Sequence, residues 1–341
     1  MKPVHVAVDA HNLARDDRGI GRYARAVLSR AQRDERFRWT FVVRDLFPRG
    51  AAVARALGAD GVRVARRVPA DADVVWFPWN GTFLRSSAPA VATIHDAAPF
   101  AFPAADPRKR ATEQNPFLET AATARRILVQ SRFTAGEVER RLGVEAARVV
   151  VTPLAADPAF TPGSLDALPP QLRGVRYVLH VGAHDERKNS STLIAGFAGA
   201  FADGGATLVF TRRPPALPPG ARVVDATDDA TLVALYRGAA LVAVPSTYEG
   251  FGLPLLEAMA CGTPVVAARA GALPEVGGES VAWVDDARDA GAWSEALRSL
   301  LADDGTRAVL AARGLVRAAT FSWDRCTAQT LAVLEATAAE A

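Results

Sequence analysis

The chain has 341 residues, of which 50% are hydrophobic and 23% are charged, and its formal net charge is +3. This length predicts about two domains. The composition is that of a globular protein, which excludes the disordered and fibrous classes. No apolar run reaches the roughly 20 residues that a membrane-spanning helix needs. Cys261 and Cys326 are far apart and lack CxxC spacing, so we expect a reducing compartment, no disulfide and no structural zinc.

The charge is divided unevenly along the chain. Residues 1–160 contain 25 Lys and Arg against 17 Asp and Glu, a net +8, and the remainder contains 15 against 20, a net −5. The basic first half favours an anionic partner such as a membrane surface, a lipid phosphate or a nucleic acid, and a general enrichment in Arg is the alternative. The first residues, MKPVHVAVDAHN, enter a strand without an apolar signal core, which predicts a cytoplasmic protein.

In chain order, short apolar strands alternate with segments of helical periodicity. The first half predicts strands at Val4–Val8, Trp39–Val43, Val62–Ala65, Val74–Phe77, Val91–Ile94, Arg126–Gln130 and Arg148–Thr152, with helices after Gly19, near Pro116–Arg126 and at Ser131–Gly143. A Pro- and Ala-rich stretch without periodicity, residues 153–175, predicts a linker.

The alternation then starts again. Strands are predicted at Tyr177–Val181, Ala206–Thr211, Arg222–Val224, Ala240–Val244, Pro264–Ala267 and Val281–Val284, and helices at 189–202, 228–238, 253–260, 289–302 and Trp323–Ala339. Strand–helix alternation is typical of parallel sheets with right-handed crossovers. We therefore predict an α/β protein with two Rossmann-like, doubly wound domains facing each other across a cleft. The predicted bounds are 1–160 and 161–322, with a C-terminal helix, 323–341, that packs back on the first domain.

A glycine-rich stretch follows the first strand. Residues 16–25, DDRGIGRYAR, match G-x-G-x-x-A through Gly19, Gly21 and Ala24, and Asp45 follows the second strand. This spelling favours an NAD(P)-dependent oxidoreductase, but a dinucleotide loop begins directly at the strand end, and here HNLARDDR intervenes. A looser loop at a helix N-terminus can still bind a phosphate or a sugar. A turn without a ligand is the third possibility.

A second constellation lies at residues 245–278, PSTYEGFGLPLLEAMACGTPVVAARAGALPEVGG. Glu249 and Glu257 bracket Gly250-Phe251-Gly252-Leu253-Pro254 after an apolar strand. The glycines allow close backbone approach to a ligand, and Pro254 suits the start of a helix. The loop therefore predicts a helix N-terminus directed at an anion such as a pyrophosphate. Glu257 can accept hydrogen bonds from the hydroxyls of a ribose, and Glu249 lies nearer to whatever the phosphate carries.

This constellation resembles the nucleotide-sugar motif of the retaining glycosyltransferases of family 4, which have the GT-B fold. Four further segments resemble theirs in the same order: GIGRYARAVL, TIHDAAPFAFP, VQSRFTAGEVERRLGV with VVVTPLAADPAF, and LHVGAHDERKNSSTLIAGFA. The resemblance extends over nearly the whole chain. Its TIHD and GAHDERKN segments are most similar to those of mannosyl-transferring members of the O-antigen type.

The resemblance implies a role for each matching residue. Arg187 and Lys188 would hold the donor pyrophosphate, with backbone N–H groups from Gly250, Phe251, Gly252 and Leu253. Glu257 would hold the ribose and Glu249 the sugar, while His95 would approach the transferred sugar or the acceptor. Gly19 and Gly21 would close the donor pocket from the first domain. Such enzymes need no metal for the chemistry and no cofactor beyond the nucleotide-sugar donor.

The predicted function is transfer of a hexose, with mannose favoured, from a nucleotide-diphosphate sugar, with GDP-mannose favoured. The predicted acceptor is a saccharide or a polyprenyl-diphosphate-linked saccharide in cell-surface polysaccharide synthesis. Peripheral contact with the anionic inner face of the cell membrane is expected, and nucleic acid is not. Ala183 stands where many members have Arg, so this chain lacks one cation that could bind the donor phosphate. The alternatives are an oxidoreductase that uses the Gly19–Gly21 loop and an inactive nucleotide-sugar-binding module.

Overall fold

The structure is a computed structural model that describes residues 2–16, 19–45, 50–226 and 228–340. The chain forms two compact units, one of residues 1–154 with 322–341 and the other of residues 155–321. The division falls at the start of the Pro- and Ala-rich stretch that predicts a linker. Within the described residues, no helix is long and apolar enough to cross a membrane.

The first unit contains one parallel sheet of seven strands. In chain order its strands are β1 (Val4–Asp9), β2 (Phe37–Val42), β3 (Val64–Ala65), β4 (Val74–Phe77), β5 (Ala90–Thr93), β6 (Arg126–Val129) and β7 (Val149–Val151). Its helices are α1 (Gly19–Ala31), α2 (Gly50–Leu57), α3 (Ala98–Ala101), α4 (Pro107–Thr123), α5 (Arg132–Leu142) and α12 (Trp323–Ala339), numbered along the whole chain. The strand order is β3-β2-β1-β4-β5-β6-β7.

The second unit contains a parallel sheet of six strands. Its strands are β8 (Tyr177–His180), β9 (Thr207–Phe210), β10 (Arg222–Val223), β11 (Leu241–Val244), β12 (Val265–Ala268) and β13 (Ala282–Val284). Its helices are α6 (Ser190–Ala200), α7 (Asp229–Gly238), α8 (Leu253–Ala260), α9 (Leu273–Gly277), α10 (Ala290–Ala302) and α11 (Asp304–Ala318). The strand order is β10-β9-β8-β11-β12-β13.

Each sheet has one topological switch point, where the chain reverses the direction in which it adds strands. In the first unit the chain builds outward from β1 through β3 and then from β4 through β7 on the other side. In the second unit the same reversal lies between β8 and β11. Ligands of doubly wound sheets bind outside the carboxyl ends of the strands at such a reversal. The segments after β8 and β11 are therefore the expected binding segments of the second unit.

Apolar side chains cover both faces of each sheet. In the second unit, Val178, Leu208 and Ala243 of the sheet pack with Leu193 of α6 and Trp293 of α10 in one buried cluster. Strands buried on both faces explain the near-continuous apolar runs in the sequence. In the first unit α12 packs against α1 and four central strands, and its Cys326 is fully buried there. Both cysteines are buried and free.

The predicted architecture of two parallel-sheet α/β domains is confirmed. Helix 253–260 has the predicted bounds, and α12 begins and ends as predicted. The prediction of a helix near Pro116–Arg126 was wrong in both bounds, since α4 begins at Pro107, with Asp106 as its cap, and ends at Thr123. The helix α11 was not predicted at all, although Asp303 caps it by accepting the backbone N–H of Thr306.

Candidate active site

The centre of the candidate site is a buried ion pair between the two binding segments of the second unit. Lys188, after β8, donates from Nζ to Oε1 of Glu249, after β11, at 2.5 Å. Arg187 Nη1 lies 3.6 Å from the other carboxylate oxygen, Oε2. Lys188 is 9% exposed and Glu249 is 6% exposed. The fold thus brings Glu249 next to Arg187 and Lys188, which lie about 60 positions earlier in the sequence.

The carboxylate of Glu249 is ionised in this setting. Burial by itself would raise the pKa of Glu249, but the charges of Lys188 and Arg187 and the hydrogen bonds from Lys188 and Ser246 outweigh it, so the pKa lies below its ordinary value. Ser246 is 1% exposed and donates from Oγ to Oε1 of Glu249 at 2.7 Å. Ser246 was not predicted from the sequence, since only the folded loop directs its hydroxyl to the carboxylate.

The segment that carries Arg187 and Lys188 is held by backbone and side-chain hydrogen bonds. Asp185 accepts the N–H of Lys188 and caps a short 3-10 turn, Glu186–Lys188. Thr247 donates its N–H to the carbonyl of Arg187 at 2.8 Å, which joins the β8 and β11 segments directly. These contacts fix the backbone, so the two cationic side chains start from a defined position.

Asn189 also holds this segment in place through hydrogen bonds. It adopts a left-handed conformation with φ of 51°, which costs a non-glycine residue free energy. Its amide Nδ2 donates to the carbonyls of Pro245 at 3.1 Å and Ala287 at 2.6 Å, and its Oδ1 accepts the hydroxyl of Thr192 at 2.7 Å. These bonds offset the strain and tie the segment after β8 to the segment after β11. Asn189 was also missed, although Asn is the residue type best suited to this conformation after glycine.

A glycine fixes the backbone of Glu249 itself. Gly271 has φ of 58°, and a Cβ there would lie 2.6 Å from the N and 2.8 Å from the O of Glu249. The carbonyl of Glu249 accepts the N–H of Ala272 at 2.9 Å. The loop before α9 therefore packs on the Glu249 backbone so closely that only glycine fits.

The predicted anion-binding loop forms the start of α8. Gly252 is its N-cap, with φ of 100°, and Leu253 is its first helical residue. A Cβ on Gly252 would lie 2.6 Å from Cδ2 of Leu273, so the glycine is needed for packing as well as for its conformation. Phe251 is buried, and its ring contacts Phe321 edge-to-face with centroids 5.8 Å apart. With Gly250 on the same loop, these residues place first-turn N–H groups at the carboxyl end of β11.

Glu257 lies one turn into α8 and is buried. Its Oε2 accepts the hydroxyl of Tyr236 at 2.8 Å. This hydrogen bond fixes the orientation of the Glu257 carboxylate. Tyr236 was not singled out in the sequence.

His184 holds the loop that follows β8. It lies edge-on to Phe210 and forms a hydrogen bond through Nδ1 to Ser190 at 2.9 Å. Its Nε2 donates to the carbonyl of Arg212 at 2.7 Å. His184 therefore joins the loop after β8 to the backbone of Arg212, which follows β9.

In the first unit, His95 follows β5 at the carboxyl edge of the sheet. Its Nε2 donates to the carbonyl of Pro78 at 2.9 Å, which leaves Nδ1 as the acceptor nitrogen. Its backbone N–H donates to Oδ1 of Asn80 at 2.7 Å. Burial lowers the pKa of His95 below its ordinary value, so the imidazole is neutral at pH 7. Its ring packs edge-on against Tyr23 of α1, with centroids 5.0 Å apart.

The glycine-rich stretch of the first unit is described only in part, since residues 17 and 18 lie outside the described ranges. Gly19 begins α1. A Cβ on Gly21 would overlap the carbonyl of Asp16, so this glycine is required by the packing of its own loop. The carbonyl of Asp16 also accepts Nη1 of Arg25 at 2.7 Å. Local packing therefore explains why residue 21 is glycine, independently of any ligand.

Across the described ranges, no three His, Cys, Asp or Glu side chains are grouped so that they could hold a metal ion. Metal independence stays a prediction.

Two family models match the chain. The model described as Glycosyltransferase Family 4 matches residues 6–160, and the model described as Glycosyl transferases group 1 matches residues 217–316. The O-antigen chain mannosyltransferase B of Escherichia coli is 35% identical over an alignment of 270 residues that covers 71% of this chain and 69% of that protein. The chain belongs to glycosyltransferase family 4. The family that the five motifs predict is therefore confirmed.

Other relatives of this glycosyltransferase match shorter stretches. The D-inositol 3-phosphate glycosyltransferase of Salinispora tropica is 47% identical over 136 residues, which are 40% of this chain and 27% of that protein.

Solved structures share the fold of the glycosyltransferase over its whole length. Sucrose-phosphate synthase from Thermosynechococcus elongatus has a TM-score of 0.73 at 20% identity and covers 100% of both chains. Anabaena HepE, solved with UDP and glucose, has a TM-score of 0.69 at 15% identity and covers 97% of this chain and 99% of its own. At these identities the likeness concerns the fold, and the GT-B fold is confirmed.

Proposed function

We propose that this glycosyltransferase moves mannose from GDP-mannose to a saccharide or a polyprenyl-diphosphate-linked saccharide, with retention of configuration and without a metal. The observation that carries the proposal is the buried pair of Lys188 and Glu249, with the partly exposed Arg187 beside it, at the reversal of the second sheet. The choice of mannose is supported by the Escherichia coli relative, which is a mannosyltransferase.

The chemistry follows from the charges in this group. Cleavage of the bond between the anomeric carbon and the diphosphate builds negative charge on the leaving phosphate. Lys188, Arg187 and the first-turn N–H groups of α8 stabilise that charge where it develops. The sugar becomes positive, and the carboxylate of Glu249 is well suited to it and to its hydroxyls. The leaving phosphate would accept the proton of the acceptor hydroxyl, which attacks from the same face.

The first unit would receive the acceptor. His95 presents a neutral imidazole with an unprotonated Nδ1, which can accept a hydrogen bond from a sugar hydroxyl. Gly19 and Gly21 at the start of α1 would offer backbone groups to a bound ligand. These roles rest on the family motifs and on the position of both segments at the carboxyl edge of the sheet.

We further propose that the basic first unit contacts an anionic membrane surface. Arg66 and Arg67 are exposed beside the edge strand β3. Replacing both by Gln is expected to lower partitioning to phosphatidylglycerol vesicles by up to about 30-fold, since each basic residue near such a surface contributes about 1 kcal/mol. The control is Arg298→Gln on α10 of the second unit, which is also exposed. Equal partitioning of wild type to neutral and anionic vesicles would contradict the proposal.

A thermal-shift screen tests the donor. We expect GDP-mannose to raise the melting temperature more than other GDP- and UDP-sugars, because a ligand at a hundredfold excess over its Kd adds about 2.7 kcal/mol to the free energy of unfolding. NADH and NADPH are expected to give no shift, as the family membership leaves the oxidoreductase alternative without support. Slow hydrolysis of the donor, followed by NMR, should give α-mannose first if configuration is retained.

The outcome of the screen distinguishes a wrong donor from a wrong function. A shift by a UDP-sugar alone would replace the donor and keep the reaction class. Binding without transfer or hydrolysis would favour the inactive module. If no nucleotide sugar shifts the protein and NADH does, the proposal fails.

A further inference from the structure

We propose that Glu249 makes the site discriminate between the intact nucleotide sugar and the spent nucleoside diphosphate, and thereby promotes product release. This inference rests on the proposed function and goes beyond it. In this inference, the Glu249 carboxylate and the diphosphate of the product compete for the same two cations, Lys188 and Arg187.

The inference is based on the contacts of Glu249 with these cations. Both carboxylate oxygens of Glu249 are committed to cations, Oε1 to Lys188 at 2.5 Å and Oε2 to Arg187 at 3.6 Å. Ser246 and the close approach of Gly271 hold the carboxylate in place. A diphosphate that uses Lys188 and Arg187 must therefore bind beside a fixed negative charge, at a distance where like charges repel strongly in a buried setting.

The substrate and the product differ in how they meet this charge. A nucleotide sugar brings hydroxyl groups, which can donate hydrogen bonds to the carboxylate and offset the repulsion. A nucleoside diphosphate has no sugar to donate these bonds. Its terminal phosphate also ionises once more near neutral pH, which adds a negative charge. Glu249 therefore penalises the product more than the substrate.

The test compares the binding of two ligands to the full-length wild type and to one variant. The Kd values of GDP-mannose and GDP, or of the sugar and diphosphate pair that the screen selects, are measured by calorimetry for wild type and Glu249→Gln. We expect Glu249→Gln to bind the diphosphate on the order of tenfold more tightly and to bind the nucleotide sugar no more tightly than wild type. The matched control is Glu295→Gln on α10, an exposed carboxylate paired with Arg298, which should change neither Kd.

A second variant guards against misfolding. Glu249→Asp keeps the charge and withdraws it from the cations, and its diphosphate affinity should lie between those of wild type and Glu249→Gln. The inference is overturned if both ligands change by the same factor, or if the diphosphate binds more weakly in the folded variants. If wild type binds neither the nucleotide sugars nor the diphosphates, the proposed function itself fails, which is a distinct result.

Discussion

Replacement of Lys188 by alanine is expected to lower the rate of sugar transfer, or of donor hydrolysis, by about 10²- to 10³-fold, the size typical for loss of one group that stabilises developing charge. Lys188 is the cation nearest to Glu249 and is almost fully buried, so water cannot replace its charge at low cost. The measurement is kcat and KM with the donor that the thermal-shift screen identifies. We expect most of the loss in kcat, because the leaving-group charge is largest in the transition state.

The same substitution removes one partner of a buried ion pair, and such changes destabilise proteins by about 3–5 kcal/mol. A double variant, Lys188→Met with Glu249→Gln, removes both charges and should recover most of the free energy of unfolding without recovering activity. Lys188→Arg keeps the charge and should retain more activity than either. A Lys188→Ala protein that is folded and transfers sugar at the wild-type rate would exclude Lys188 from the leaving-group site.

Substitution of Gly271 by alanine is expected to lower both stability and activity. The left-handed conformation alone costs alanine about 1–2 kcal/mol, and the contact of its Cβ with the Glu249 backbone adds roughly 1–3 kcal/mol of overpacking. Relief of that contact must move Glu249. A displacement of about 1 Å in a catalytic group can lower the rate by about 10²-fold. Chemical denaturation and donor hydrolysis measure the two effects.

Gly220 provides a matched control for this prediction. It has φ of 75°, and a Cβ there would meet nothing within 4 Å. Gly220→Ala therefore carries the conformational cost without the contact, and it should leave donor hydrolysis unchanged. Equal effects of the two substitutions on activity would show that the packing of Gly271 on Glu249 has no part in positioning the carboxylate.

Local signals in the sequence were enough for much of the second unit. Gly252 and Pro254 mark the start of α8, and the apolar run before them marks β11, so the helix 253–260 was predicted with its correct bounds. By contrast, the helix α11 is rich in Ala and Arg and buries only Leu310 and Gly314, and its clearest signal is the cap at Asp303. For α4, Asp106 followed by Pro107 is the corresponding signal.

The site required more than local signals. Arg187, Lys188 and Glu249 were selected by their motifs, but only the parallel pairing of β8 with β11 shows that they meet. Asn189 and Gly271 contact backbone that is distant in the sequence, and no spacing rule within a single segment reveals such partners. Ser246 lies only three residues before Glu249, but the folded loop is needed to direct its hydroxyl to the carboxylate. The catalytic roles of these residues remain predictions.

A crystal structure of the protein with GDP-mannose, or with the donor selected by the screen, tests the central claim most directly. We predict the diphosphate within hydrogen-bond distance of Lys188 Nζ and the N-terminus of α8, with a sugar hydroxyl on Glu249. A nucleotide bound instead at Gly19–Gly21 of the first unit, with the Lys188–Glu249 pair out of contact with it, would contradict the claim.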